Sequence, residues 1–252
     1  MGDPVIFLPG IIMPAADRYA ALINELGGHV KTIAKDLEVY RLSRPPTGYS
    51  IETEVAGVAS TADVRRLERF HLYGHSAGGA IAIAFAAAHP DRLLSLAVDE
   101  PAMDFTPEDH ADPSWAEMDR IAKLPVAERM EAFLRRQLKP GVEPAPPPPG
   151  PPPEWMAKRP AGIVAFLEAG KQHVIAEQRL RDFERPVYYS RGTLSSPYWE
   201  RSARRLGRLF PDVTSEIYAG LHHLHTSHIA EPARVAAALR SLWARAESMS
   251  SS

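Results

Sequence analysis

The chain has 252 residues, of which 45% are hydrophobic, and this is enough apolar material for one large globular domain. Its formal net charge is −2, so the composition predicts no attraction to nucleic acid or to an anionic membrane. Cysteine is absent, which excludes disulfides, thiolate catalysis and zinc sites with cysteine ligands. No apolar run approaches the roughly 20 residues that cross a bilayer, and the N-terminus lacks the features of a secretory signal, so we expect a soluble cytoplasmic protein.

The N-terminal part of the sequence alternates short apolar runs with longer amphipathic segments. The patterns predict strands at 5–8, 37–42, 70–74 and 93–99, with helices at 16–27, 50–67 and 76–89. The alternation resumes later, with predicted strands at 186–192 and 215–219 and predicted helices at 197–210 and 231–246. Such alternation predicts an α/β fold with a mostly parallel sheet and helices on both of its faces.

A long central segment, residues 103–185, interrupts this alternation. Helical patterns cover 114–138 and 154–182, and no strand pattern lies between them. Eight of the eleven residues from 143 to 153 are proline, which is typical of a stiff connector, although a ligand for an SH3-like partner is an alternative. We predict a core of residues 1–102 and 186–247, a helical lid at 103–185 with a proline-rich linker at 143–153, and a disordered tail at 248–252.

The sequence LYGHSAGG at residues 72–79 contains the pattern Gly-x-Ser-x-Gly where a predicted strand meets a predicted helix. Small residues on both sides of Ser76 allow a sharp turn that holds this serine in a strained conformation above the end of the sheet. At the N-terminus of the following helix, backbone N–H groups such as that of Ala77 favour a developing negative charge. An idle serine in a tight turn is the alternative, but the flanking strand and alanine-rich helix favour a nucleophile.

These residues resemble the α/β-hydrolase superfamily, and the resemblance covers essentially the whole chain. Besides GHSAGG at 74–79, it rests on FLPGI at 7–11, LAVDEPA at 96–102, YYSRG at 188–192 and the histidine-rich loop near the C-terminus. The resemblance implies hydrolysis without a metal or cofactor, and it places a second oxyanion donor on the backbone N–H of Ile11. Pro9 departs from the histidine that relatives usually have, and we expect the two N-terminal antiparallel strands of the family to be absent.

The acidic member of the expected triad is not where the family usually has it. The window that carries Gly-x-x-Asp in relatives reads Gly192-Thr193-Leu194-Ser195 here, and a serine cannot supply the negative charge that stabilises an imidazolium. Some relatives carry the acid at the end of the preceding core strand, where this sequence has VDEPA. The resemblance therefore favours Glu100, with Asp99 and Asp104 as alternatives and an idle Glu100 carboxylate also open.

Four of the ten histidines lie within residues 222–228, and the chain order Ser…Glu…His requires the base in this loop. Counting forward from the last strand, the family pattern places the base at His223. Counting backward from the Glu-Pro pair that starts the last helix favours His225 instead, and His222 is a further alternative. A metal site that includes His223 and His225 is disfavoured because residues 219–230 contain no carboxylate.

We therefore expect a serine hydrolase that cleaves an ester or related acyl bond of a small, hydrophobic substrate through an acyl-enzyme on Ser76. His223 would be the base, Glu100 the orienting acid, and the N–H groups of Ile11 and Ala77 the oxyanion hole. The alternatives are a catalytically silent binding protein of the same fold and a thioester, lactone or C–C bond hydrolase. The expected partner is a small-molecule substrate, with no nucleic acid or membrane, while the sequence leaves the oligomeric state open.

Overall fold

The computed structural model describes residues 2–146 and 149–250, and its centre is a sheet of six strands in the order β2-β1-β3-β4-β5-β6. The strands are β1 (Gly2–Leu8), β2 (Val30–Ala34), β3 (Phe70–His75), β4 (Leu93–Asp99), β5 (Val187–Gly192) and β6 (Val213–Tyr218). Every pair of neighbouring strands is parallel. The mostly parallel sheet predicted from the alternating pattern is thus confirmed.

Helices connect the strands and pack on both faces of the sheet. In chain order, the described part of the chain contains α1 (Ala15–Leu26), α2 (Ile51–Val64), α3 (Ala77–Ala88), α4 (Pro107–His110), α5 (Ser114–Ala122), α6 (Val126–Arg136), α7 (Arg159–Gln172), α8 (Glu177–Arg181), α9 (Pro197–Leu209), α10 (Ser227–Ala230) and α11 (Pro232–Ser250). No helix in that part of the chain has the length and apolar character needed to cross a bilayer.

Alternate side chains of β1 enter two different apolar cores. Val5 and Phe7 pack in a core with residues of α1 and α11, whereas Ile6 and Leu8 pack in a second core with residues of α2 and α3. Because side chains on a strand alternate between the faces of a sheet, a strand that is apolar at every position is buried on both sides. This explains why the apolar run at the start of the chain forms a central strand.

The predicted strand at 37–42 is wrong. The second strand is β2, and residues Glu38–Tyr40 form a 3₁₀ turn instead. The backbone N–H groups of Glu38 and Val39 donate to the buried carboxylate of Glu54 at 2.8 and 2.9 Å, so this segment satisfies its donors without a neighbouring strand. The apolar residues that suggested a strand, Leu37 and Val39, are buried in the core that also contains residues of α2 and α3.

Residues 103–185 lie between β4 and β5 and contain α4 to α8. The helical pattern at 114–138 is divided, because Pro125 precedes α6 and α5 has already ended. The pattern at 154–182 is divided into a 3₁₀ turn (Glu154–Lys158), α7 and α8. Ile163 and Phe166 of α7 join the core of the sheet.

Two helix boundaries bear on the sequence predictions. Helix α2 begins close to its predicted start, where Ser50 and Thr53 cap it by exchanging hydrogen bonds between side chain and backbone. Helix α11 runs to Ser250 and so extends into the segment predicted as a tail. The remaining predicted tail residues, Ser251 and Ser252, lie outside the described residues, as do Met1 and the linker residues Pro147 and Pro148.

Candidate active site

Ser76 occupies a sharp turn between β3 and α3. Its backbone has φ 53° and ψ −119°, a combination that costs free energy for a residue with a side chain. A Cβ on Gly74 would lie 2.2 Å from the carbonyl oxygen of Gly78, and a Cβ on Gly78 would lie 2.2 Å from that of Leu8. The strand, the helix and β1 therefore approach each other as closely as they do only because both positions are glycine.

Three side chains predicted from the sequence form one hydrogen-bonded chain at this turn. Nε2 of His223 lies 2.9 Å from Oγ of Ser76, and Nδ1 of His223 lies 2.8 Å from Oε2 of Glu100. The other oxygen of Glu100 accepts a hydrogen bond of 2.8 Å from the backbone N–H of Gly192. All three side chains are buried, and Glu100 is fully so. The carboxylate can thus hold the Nδ1–H tautomer and leave Nε2 free to accept a proton.

The strand end that carries the acid separates Glu100 from Asp99. Glu100 has φ 46°, in the left-handed region that residues with side chains rarely adopt. Its carboxylate reaches His223, whereas Oδ2 of Asp99 lies 2.8 Å from Nδ1 of His228. The third sequence candidate, Asp104, forms a buried ion pair of 2.6 Å with Arg205. Of the three acids considered, the structure places only Glu100 against His223.

The alternative histidines lie beside the site but form no hydrogen bond with Ser76 in the described part of the chain. His222 and His225 pair with each other, and the N–H of His225 donates to the carbonyl of His222 at 2.9 Å. His228 is completely buried and belongs to the Asp99 pair. Among the side chains that the structure describes, no three histidine or carboxylate groups converge as they would to hold a metal ion.

Burial governs the electrostatics of the site. It lowers the pKa of His223 well below its usual value, and the positive charges of Arg18 and Arg136 lower it further. Burial also raises the pKa of Glu100, an effect that the neighbouring Asp99 carboxylate reinforces and the N–H of Gly192 opposes. Both pKa shifts arise because burial makes the charged form of each group costly, and they favour a neutral imidazole in the resting protein.

The two predicted oxyanion donors border the same cavity as Ser76. The N–H groups of Ile11 and Ala77 donate to no other residue within the described ranges, whereas the N–H of Gly78 is bound to the carbonyl of Pro9 at 2.9 Å. Free donors beside a buried hydroxyl are what a developing oxyanion needs.

Ser76 borders two cavities of different size. One has a volume of about 40 Å³, lies under the helices of the 103–185 segment and is bordered by apolar residues that include Trp115, Met118 and Phe166. The other has a volume of about 600 Å³ and is bordered by Arg18, His75 and the histidine-rich loop. The reacting group of a ligand bound at Ser76 would therefore meet a small apolar pocket on one side and a larger cavity that contains Arg18 on the other.

Two residues of the site carried no signal that sequence reasoning used. The indole of Trp199 stacks on the imidazole of His223 with ring centroids 3.9 Å apart and planes tilted by 14°, and its N–H donates to the carbonyl of Pro101. Arg18 of α1 contacts both His75 and His228. Arg18 and Trp199 stand in helices at positions that periodicity assigns to packing.

The fold and the serine turn place this chain among α/β proteins with a site at the carboxyl edge of a parallel sheet. The family described as alpha/beta hydrolase fold matches residues 3–144. The pimeloyl-[acyl-carrier protein] methyl ester esterase of Aeromonas hydrophila is 30% identical over 206 residues, which cover 80% of this chain and 72% of that protein. The chain belongs to the α/β-hydrolase family.

Two further proteins indicate the range of the similarity. The 2-hydroxy-6-oxo-2,4-heptadienoate hydrolase of Pseudomonas putida is 34% identical over 101 residues, and the match spans 38% of this chain and about a third, 36%, of that protein. A thermophilic esterase from Thermogutta terrifontis has a similar structure, with a TM-score of 0.72 and 19% identity, covering 98% of this chain and 91% of that chain. At that identity the structural likeness bears on the fold alone.

Proposed function

We propose that the chain is a serine hydrolase that cleaves a carboxylic ester, or a related acyl bond, of a small substrate with a hydrophobic part. The observation that carries this proposal is the pair of hydrogen bonds that links Ser76 through His223 to Glu100. The name of the Aeromonas relative, a methyl ester esterase, favours an ester over other acyl bonds. The small apolar cavity beside Ser76 favours a hydrophobic group on the substrate.

In the first half of the proposed reaction, Oγ of Ser76 bonds to the carbonyl carbon while its proton passes to Nε2 of His223. The N–H groups of Ile11 and Ala77 stabilise the resulting oxyanion. The bond to the leaving oxygen then breaks, and that oxygen takes the proton from Nε2 and departs as an alcohol. Glu100 keeps the imidazole in the required tautomer and stabilises its transient positive charge.

Water completes the proposed cycle by the same route. Its oxygen attacks the acyl carbon of the acyl-enzyme while Nε2 of His223 removes its proton. The bond to Ser76 breaks, the serine oxygen regains the proton from Nε2, and the carboxylic acid leaves. The helices at 103–185 would act as a lid in both halves, because residues such as Trp115 and Phe166 border the cavity at Ser76 and limit access of bulk water.

A fluorophosphonate probe at neutral pH tests the proposal, since it labels only an activated serine. We expect stoichiometric labelling of the wild type, none of Ser76→Ala, and undiminished labelling of Ser95→Ala, which removes a buried serine from the middle of β4. Absence of Ser76-dependent labelling would overturn the enzyme assignment and favour a silent binding protein. A p-nitrophenyl ester series of increasing chain length then measures how large an apolar group the enzyme accepts.

A further inference from the structure

Arg18 is a buried cation on the wall of the larger cavity at Ser76. Its side chain comes from α1 and is only 7% exposed, yet it borders the cavity of about 600 Å³ together with Ser76 and His75. A charged side chain is rarely buried without a partner of opposite charge. No carboxylate among the described residues lies within ion-pair distance of Arg18, so its buried charge has no direct partner there.

The guanidinium group of Arg18 has five N–H donors, and the structure uses only some of them. Its Nε donates to Nε2 of His228 at 2.8 Å, and its Nη2 lies 3.0 and 3.1 Å from the two ring nitrogens of His75 and 3.4 Å from Oγ1 of Thr226. Its Nη1 donates to no side chain or backbone group in residues 2–146 and 149–250. This nitrogen therefore retains two N–H groups for a ligand.

The hydrogen bonds of Arg18 hold its guanidinium group in place without neutralising its positive charge. Nδ1 of His228 lies against Asp99 at 2.8 Å, so the carboxylate is separated from Arg18 by a whole imidazole ring. Burial lowers the pKa of His228 to about 4 and that of His75 well below its usual value, and the charge of Arg18 adds to both effects. Both rings are thus neutral acceptors at pH 7, and they fix the guanidinium by hydrogen bonds.

The charge of the cavity wall is positive. The side chains that border it within the described part of the chain include Arg18 and four histidines but no aspartate or glutamate. The two nearest carboxylates, Asp99 and Glu100, are buried behind the wall, where His228 and His223 bind them. A ligand in the cavity would meet the cation and not its counter-charges, and an anion would gain charge-assisted hydrogen bonds that a neutral group would not.

We propose that Arg18 binds a carboxylate of the substrate, so that the enzyme acts on esters that carry an anionic group on one side of the scissile bond. The inference rests on the proposed hydrolase function. With the reacting carbonyl at Ser76, one arm of the substrate occupies the apolar pocket and the other extends along His75 to the free Nη1 of Arg18. His75 thus lies between His223 and Arg18, since its ring centroid is 4.7 Å from that of His223 and its ring contacts Nη2 of Arg18.

Two matched ester pairs test this inference. Methyl hydrogen adipate and methyl hexanoate differ in a carboxylate on the acyl arm, and 4-acetoxybutanoate and butyl acetate differ in a carboxylate on the alcohol arm. A hydrogen bond to a charged group strengthens binding by roughly one order of magnitude or more. We therefore expect the wild type to prefer the anionic member of at least one pair by about 10-fold or more in kcat/KM. No preference in either pair would overturn the inference, while hydrolysis of the neutral esters would leave the proposed function intact.

Variants assign the preference to its residue. Arg18→Met should reduce the anionic-to-neutral ratio to near one, mainly through KM, and Arg18→Lys should restore part of it because the charge remains. Arg136→Met is the matched control, since Arg136 is also a cation at a cavity bordered by Ser76, but at the smaller cavity. Loss of the preference in Arg136→Met but not in Arg18→Met would overturn the assignment.

A binding measurement keeps the inference testable even if no ester is hydrolysed. Calorimetry of methyl hydrogen adipate and of 4-acetoxybutanoate with Ser76→Ala, and with the Ser76→Ala/Arg18→Met double variant, measures recognition of the carboxylate without turnover. We expect at least one of the two to bind at least about 10-fold more weakly to the double variant. Equal affinity of both ligands for the two variants, with both folded by circular dichroism, would overturn the inference.

Discussion

His223 is the one histidine of its loop whose ring contacts both Ser76 and Glu100. We predict that His223→Ala lowers kcat/KM by about 10³-fold or more, because it removes the base and leaves Ser76 without activation. His222→Ala and His225→Ala should lower it by about tenfold at most, since it is the ring of His223, and not theirs, that binds Ser76 and Glu100. Steady-state kinetics on one ester measures all three. A comparable loss in His225→Ala would assign the base two residues further along the loop.

Variants of Glu100 and Asp99 test which of these two neighbouring carboxylates supports His223. Glu100→Gln keeps the shape of the side chain but removes its charge, so the imidazole loses the partner that fixes its tautomer, and we expect kcat to fall by about 10³–10⁴-fold. Asp99→Asn changes a residue that binds His228 instead of His223, and its effect on kcat should be at least tenfold smaller. Presteady-state acylation of Ser76 provides the measurement. The reverse order of effects would identify Asp99 as the acid.

The pH dependence of activity follows from the burial of His223. The base must be neutral to accept the proton of Ser76, and burial together with Arg18 and Arg136 lowers its pKa well below the usual value. Protonation of His223 therefore removes the base only when the pH falls through this lowered pKa. We expect the acidic limb of kcat/KM to lie below pH 6.5, the ordinary value for histidine. A limb at or above pH 7 would contradict this prediction.

Not all residues of the site could be predicted from the sequence. The turn at Ser76 is encoded locally, because the strand, the two glycines and the helix are contiguous. The choice among His222, His223 and His225 depends on the path of a loop. Counting forward from the last strand and backward from the last helix gave positions two residues apart, so the sequence could not decide it. The place of Arg18 in the site could not be predicted from local sequence, because its partner His228 lies 210 residues away in the chain.

At the scale of elements, the junction of β1, β3 and α3 depends on Gly78. A Cβ there would lie 2.2 Å from the carbonyl oxygen of Leu8, and both sides of this contact are backbone. We predict that Gly78→Ala destabilises the protein by about 3 kcal/mol, the upper range for overpacking. Gly28→Ala is the control, because a Cβ at Gly28 would meet nothing within 4 Å. Urea unfolding measures both, and equal stability of the two variants would show that the junction can relax.

The elements themselves were predicted with uneven success. Strands β3 and β4 are buried at every position and helix α3 at almost every position, and all three lie close to their predicted bounds, because such burial leaves a mostly apolar run. The second strand was misplaced because β2 is short and half exposed, whereas the following residues 37–42 are more apolar. The distant carboxylate of Glu54, which binds the backbone of the 3₁₀ turn, decides that segment, and no local pattern reveals it.

At the scale of the whole molecule, the residues of the proposed site lie at one edge of the sheet, and a buried histidine outside the site lies near the opposite edge. The carboxyl ends of β3 and β4 carry Ser76 and Glu100, and the loop after β6 delivers His223 to the same edge. His71 lies near the opposite end of β3, where its Nδ1 is 2.8 Å from Oγ of Ser95 and its ring stacks on Trp243 of α11. A change at His71 can therefore test how buried histidines affect folding without touching the proposed site.

Burial, together with the smaller effect of the nearby charge of Arg69, lowers the pKa of His71 to about 3. The unfolded chain takes up a proton at this residue below about pH 6.5, while the folded protein does not until about pH 3, so acid stabilises the unfolded state throughout this range. His71→Asn lacks this titration and keeps a polar atom for Ser95. We predict that, below pH 6.5, the wild type loses about 1.4 kcal/mol of unfolding free energy per pH unit more than His71→Asn. Urea unfolding between pH 7 and 5 measures the difference, and parallel pH profiles would mean that His71 is protonated in the folded protein.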